Sequence, residues 1–141
     1  MILTFPLTVW LVTVAVLTGM HFILTISAIN ARKESKSYYK MPREQSQIAA
    51  IRAHGNFSEM VPLTLIVLLG LSFLNPAPFP FLLFSILLIV SRALHATSLL
   101  SCEQAENPSF KFRRYGMAIN LFVNLASAIY ILELLLKSLF Y

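Results

Sequence analysis

Three long stretches of this sequence contain no Lys, Arg, Asp or Glu: residues 1–31, 60–91 and 115–132. A helix crossing the hydrocarbon layer of a bilayer needs about 20 mostly apolar residues, and each stretch meets or approaches that length. Only 12% of the residues are charged and 57% are hydrophobic, whereas soluble domains carry roughly 25% charged residues. A water-soluble fold is therefore not expected. A cleaved leader would place a basic residue ahead of a short apolar core of about 7–15 residues. Here the first basic residue is Arg32, after a much longer apolar run, so a permanent first span is expected over residues 5–30.

The polar segment that follows holds five basic residues and Pro42, which exclude it from hydrocarbon. A second span is expected over residues 46–74. Asn75, Pro76, Pro78 and Pro80 then end it, because proline lacks an amide donor and disfavours helix before it. Residues 81–101 form a third span and residues 115–136 a fourth, separated by the polar segment 102–114. The expected fold is an all-α integral membrane protein, a single four-transmembrane-helix bundle over residues 1–141. Short cytoplasmic loops retain Lys and Arg while translocated loops lack them. Arg32, Lys33, Lys36, Lys40 and Arg43 crowd the first loop, and Lys111, Arg113 and Arg114 the third; the second loop has none. Both termini are thus expected on the periplasmic or lumenal side and both basic loops in the cytoplasm, in a membrane most simply identified as a bacterial inner membrane. The net charge of +5 then reflects topology and anionic headgroups rather than nucleic acid. Cys102 is the single cysteine, so no internal disulfide forms, and no Cys/His spacing suggests a metal site.

Ionisable groups inside a span cost on the order of 2.5–3.5 kcal/mol each at the bilayer centre, so each needs a partner or a function. The second span holds Arg52, Asn56 and Glu59. At about 100° per residue, Asn56 lies about 40° to one side of Arg52 and Glu59 about 20° to the other, so the three share a face. His54 points roughly the opposite way. Arg92 and His95 share a face of the third span, and antiparallel packing brings them to the depth of Arg52 and Asn56. Weaker polar stripes run through the first span (Thr18, His21, Thr25, Arg32) and the fourth (Asn120, Asn124, Ser127). A buried polar pocket opening to the cytoplasm is one consequence, suited to a small ligand with carboxylates and an ammonium group. The alternative is structural: Glu59 neutralises Arg52 or Arg92, and the Asn stripes hold helices together.

The segment Arg-Ala-His-Gly-Asn-Phe-Ser-Glu-Met-Val-Pro, from Arg52 to Pro62, resembles the signature of the MAPEG family (membrane-associated proteins in eicosanoid and glutathione metabolism), with Arg, Asn, Glu and Pro at fixed spacing in the second span. The chain is similar to the family's microsomal glutathione transferase and prostaglandin E synthase branches. The hydropathy layout extends the resemblance over nearly the whole chain. It implies a homotrimer with glutathione bound between adjacent subunits near the cytoplasmic side. Arg52, His54, Asn56, Glu59, Arg92 and His95 would contact glutathione, with Arg32 reaching its carboxylates. An arginine just before the fourth span would stabilise the thiolate, here Arg114 or, as the alternative, Arg113. The resemblance thus implies a glutathione transferase or peroxidase acting on lipophilic electrophiles from the bilayer, a detoxifying role. Leu99 and Met60 stand where the eicosanoid enzymes carry tyrosines. Those two departures keep open a second class, a non-catalytic membrane scaffold that binds a lipid or other ligand.

Overall fold

The computed structural model describes residues 4–36, 43–102 and 109–140. It contains four helices: α1 (Phe5–Glu34), α2 (Gln45–Phe73), α3 (Pro78–Thr97), continued by one π-helical turn (Ser98–Cys102), and α4 (Lys111–Phe140). All four are long and apolar enough to cross a membrane. The protein is an integral membrane protein.

The helix ends differ from the expected spans in a consistent way. α1 runs past residue 30 to Glu34, carrying Arg32 and Lys33 in its last turn. Charge ends a hydrocarbon span but not a helix, and basic side chains beside the last carbonyls favour the helix dipole. α3 starts at Pro78 rather than at residue 81. The first amides of a helix have no intrahelical acceptor, so prolines that cannot continue α2 are well placed to begin α3. Between them the chain reverses through Asn75 at φ 50°, a left-handed conformation that asparagine tolerates. The turn is tied to the bundle where the Ala77 amide donates to the Tyr130 hydroxyl at 3.0 Å.

α1 packs chiefly on α2 and α3 chiefly on α4, with α2 also meeting α4. Leu17, Leu24, Phe57, Leu68, Leu71, Phe81, Leu88 and Val123 form the interior. Near the basic end, α1 and α2 meet through Ala28, Ala31, Ala49, Ala50 and Ala53, all buried. Small side chains let membrane helices approach closely, where dispersion replaces the hydrophobic effect that lipid cannot supply. Interhelical hydrogen bonds also anchor that pair, from Trp10 Nε1 to the Leu65 carbonyl at 3.0 Å and between His21 Nε2 and Ser58 Oγ at 3.2 Å. The outer surface carries Phe22, Ile23, Ile66, Phe73, Leu125 and Leu132, all largely exposed, as a lipid-facing helix requires.

Gly116 sets the α3–α4 distance at the basic end. A β-carbon there would lie 2.6 Å from the Ser91 carbonyl oxygen and 2.9 Å from the His95 nitrogen, both backbone atoms. Gly116→Val is therefore expected to force the helices apart and to cost about 1–3 kcal/mol, as overpacking does. Thermal unfolding in detergent checks this; an unchanged midpoint would mean that the two backbones are not in contact at this point.

Candidate functional site

Antiparallel α2, α3 and α4 bring the N-terminal half of α2, the C-terminal end of α3 and the start of α4 to one end of the bundle. Arg92 is the hub there. Its side chain is fully buried, at 1% exposure, a position that arginine occupies in a membrane domain only with its donors satisfied. Nη1 donates to Asn56 Oδ1 at 3.1 Å on α2, Nη2 to the Gly116 carbonyl at 3.3 Å on α4, and Nε to Ser91 Oγ at 3.3 Å. One guanidinium thus locks three helices together, using the rigid fork that lysine lacks. Gly116 contributes twice, since its missing side chain allows the approach that puts its carbonyl within reach.

A cleft of about 580 Å³ opens beside this hub. Its walls are Asn56 from α2, His95 from α3, Leu99 from the π turn, and Arg113, Arg114, Met117, Ala118 and Leu121 from α4. The lining is two-sided. Two guanidinium groups, an imidazole and an amide gather at one end, and an apolar strip of Leu99, Met117, Ala118 and Leu121 leads away from them. Leu121 is 54% exposed on the lipid-facing side of α4, so the apolar end of the cleft opens laterally. Among the described residues, no acidic side chain lines it.

The two arginines differ in their commitments. Arg113 lies over the Phe110 ring, 5.4 Å from its centroid, in cation–π geometry. Arg114 is exposed and makes no side-chain hydrogen bond or ion pair among the described residues, so its charge is available to a ligand. Asn56 has given its oxygen to Arg92, which turns its amide nitrogen, unbonded among the described residues, into the group left to donate.

The remaining candidates lie elsewhere on the surface of the chain. Arg52 and Glu59, on the same face of α2 as Asn56, are exposed and make no hydrogen bond or ion pair among the described residues. Glu59 does not neutralise Arg92. It is the middle residue of the 29-residue α2, with helix from 45 to 58 before it and from 60 to 73 after it. His54 lies on the α1 side of α2, its ring 5.0 Å from that of His21. Arg32, at the end of α1, is near enough to His54 to influence it electrostatically. Within one chain, then, Asn56, Arg92, His95, Arg113 and Arg114 come together, whereas Arg32 and His54 form a second group on another face. Met60 is half-buried and does not line the cleft, while Leu99 does.

The apolar strip and the Gly116 contact were not singled out from the sequence. Met117, Ala118 and Leu121 look like any other residues of a lipid-facing helix. Gly116 carries the one available signal, a glycine on the fourth span two residues after the Arg113–Arg114 pair. Of the fourth-span polar stripe, Asn120 Nδ2 donates to Thr64 Oγ1 at 3.1 Å, an interhelical contact between α2 and α4 deeper in the bundle. Among the described residues, Ser127 bonds to backbone carbonyls of its own helix alone.

The family model for the MAPEG family matches residues 9–132, which takes in α2 and α3 whole, most of α1 and α4, and every residue of the cleft. No curated protein matches the chain.

Proposed function

The chain belongs to the MAPEG family, and from that premise we propose that it binds glutathione in the Asn56–His95–Arg114 cleft and transfers it to lipophilic electrophiles, or uses it to reduce lipid hydroperoxides. The observation that carries the proposal is the two-sided lining: cationic and amide groups at one end, an apolar strip opening toward lipid at the other. A small anionic peptide and a hydrophobic partner need these two surfaces side by side. Free glutathione thiol is mostly protonated at neutral pH, and a fixed positive charge in a poorly hydrated site favours the thiolate. Arg114, in the cleft wall and without a hydrogen bond or ion pair among the described residues, is the group we assign to that task, with Arg113 as the alternative. The sulfur lone pair then forms the bond to an electrophilic carbon, and the leaving group departs with its bonding pair. In the peroxidase reaction the sulfur attacks the terminal peroxide oxygen, the O–O bond breaks, the alkoxide leaves with the bonding pair and is protonated to the lipid alcohol, and a second glutathione converts the sulfenic acid to disulfide and water.

We further propose a ring of three copies. Arg52 and Glu59 are exposed on a membrane-spanning helix, which is costly against lipid. Covering them with the Arg32–His54 face of the next copy removes that cost and brings the other eight candidate residues to one ligand, with Arg92 behind them holding Asn56 in place. A contact between two different faces closes into a ring instead of a two-fold dimer. The end of the bundle carrying residues 32–43 and 111–114 is assigned to the cytoplasm and both termini to the opposite side, since those two segments hold most of the basic residues.

Leu99 in the cleft wall supports a second reading, a scaffold that holds a lipid or peptide without chemistry, because no hydroxyl is available from that position. Equilibrium binding of glutathione to the detergent-purified protein, followed by ultraviolet detection of thiolate and conjugation of a model electrophile, separates the two. The enzyme reading expects all three signals. Binding without thiolate or conjugation would leave the scaffold, and no binding would remove the glutathione assignment.

A further inference from the structure

A second cleft, of about 230 Å³, lies between α1 and α2 and has no part in the charged site. Leu17, Phe57, Val61, Pro62 and Leu65 make it apolar, and Thr18, His21 and Ser58 give it a polar base. His21 is held in place: its Nε2 pairs with Ser58 Oγ at 3.2 Å, and its ring leans on those of His54 and Phe57. The Ser58 hydroxyl is itself committed to the His54 carbonyl at 3.0 Å. Three hydrogen-bonding groups remain. His21 Nδ1 makes no hydrogen bond among the described residues. The Thr18 hydroxyl makes none either, whereas those of Thr8, Thr13, Thr25 and Thr64 each bond to the carbonyl four residues back. The third is the Ser58 carbonyl, whose ordinary helical donor would be the amide of residue 62. That residue is Pro62, inside α2, and it has no amide hydrogen.

Polar groups at membrane depth are costly unless paired, and a cleft offering both donor and acceptor capacity beside apolar walls matches a hydroxyl group on an apolar body. We propose that the α1–α2 cleft binds the hydroxyl end of a membrane-soluble hydroxylated lipophile. The hydroxyl donates to the Ser58 carbonyl or His21 Nδ1 and accepts from Thr18, while its hydrocarbon lies along Leu17, Val61 and Leu65. This proposal does not depend on glutathione. In the ring proposed above the cleft faces the next copy, so the competing occupant is a side chain of that copy.

The test uses the assembled full-length protein in lipid nanodiscs, with a long-chain 4-alkylphenol carrying a photoreactive diazirine in its tail and the methyl ether of that phenol. The phenol is expected to label peptides containing Leu17–His21 and Phe57–Leu65, and to do so about 3- to 10-fold more than the ether, the ratio one hydrogen bond gives. Pro62→Ala restores an amide to the Ser58 carbonyl without removing any side-chain donor. It is expected to lower phenol labelling by a similar factor while glutathione binding and oligomer size stay unchanged, and Thr18→Val is expected to act in the same direction. Equal labelling by phenol and ether, label spread over all lipid-facing helices, or indifference to both substitutions would overturn the proposal. So would protein–protein crosslinking through a photoreactive side chain placed at Thr18, which would show the neighbouring copy filling the cleft.

Discussion

Arg114→Ala is expected to reduce the conjugation rate constant about 100- to 1,000-fold, the usual consequence of removing one preorganised group that stabilises a reacting anion. The same change should raise the dissociation constant for glutathione only several-fold, because Asn56, His95 and Arg113 still line the cleft. The split between rate and binding follows from the geometry: Arg114 is exposed, lines the cleft and makes no hydrogen bond or ion pair among the described residues, so its loss leaves no buried partner there unpaired. Arg114→Lys restores charge without the planar fork and should recover part of the rate. Pre-steady-state conjugation kinetics with glutathione titrations provide the check. If Arg113→Ala produced this pattern and Arg114→Ala did not, the roles of the two arginines would be exchanged.

Arg92→Ala should act on the fold as well as on the ligand. Its removal leaves Asn56 Oδ1 without its donor, takes away the link to the Gly116 carbonyl, and opens a cavity at a position 1% exposed. Large-to-small changes at buried sites and orphaned polar groups together cost about 2–5 kcal/mol. Arg92 stands behind the cleft wall and acts by positioning Asn56, so glutathione affinity should fall about 10-fold or more, a single well-made polar contact being of that size. Arg92→Lys distinguishes positioning from charge: it keeps the charge but cannot reach three helices at once. If Arg92→Lys bound glutathione as the unaltered protein does, net charge and not the three-helix lock would be what matters. Thermal unfolding and equilibrium dialysis on the same samples read both effects.

Much of this arrangement was legible in the residue order, for identifiable reasons. The uncharged stretches, with the Asn75–Pro80 break dividing the middle one, point to four helices because the bilayer imposes a minimum apolar length and proline ends a helix. Helical periodicity put Arg52, Asn56 and Glu59 on one face and His54 on another, and the structure keeps that division. Depth matching brought Asn56 and Arg92 together, and the two are hydrogen-bonded. What periodicity cannot supply is which helix faces which. Asn56 turns inward to Arg92, while Arg52 and Glu59, flanking it on the same face, stay at the surface, a distinction of a few tens of degrees that depends on the roll of α2 in the bundle. α1 and α4 overrun the expected spans for a related reason, since hydropathy marks where lipid stops and a helix can continue beyond it. Gly116 reveals its role only when α3 is set against α4 and its carbonyl is found at Arg92.

Arg32 and His54 reach the ligand only if a second copy supplies them, so the assembled protein with glutathione bound is the most direct test of the proposed site. An electron cryomicroscopy structure in lipid nanodiscs with saturating glutathione is expected to show three copies, with the peptide lying between Asn56 and His95 of one subunit and Arg32 and His54 of the next, and its sulfur within hydrogen-bonding distance of Arg114. Density for a lipid chain alone along Leu99, Met117 and Leu121, with glutathione absent or bound at another surface, would contradict the account.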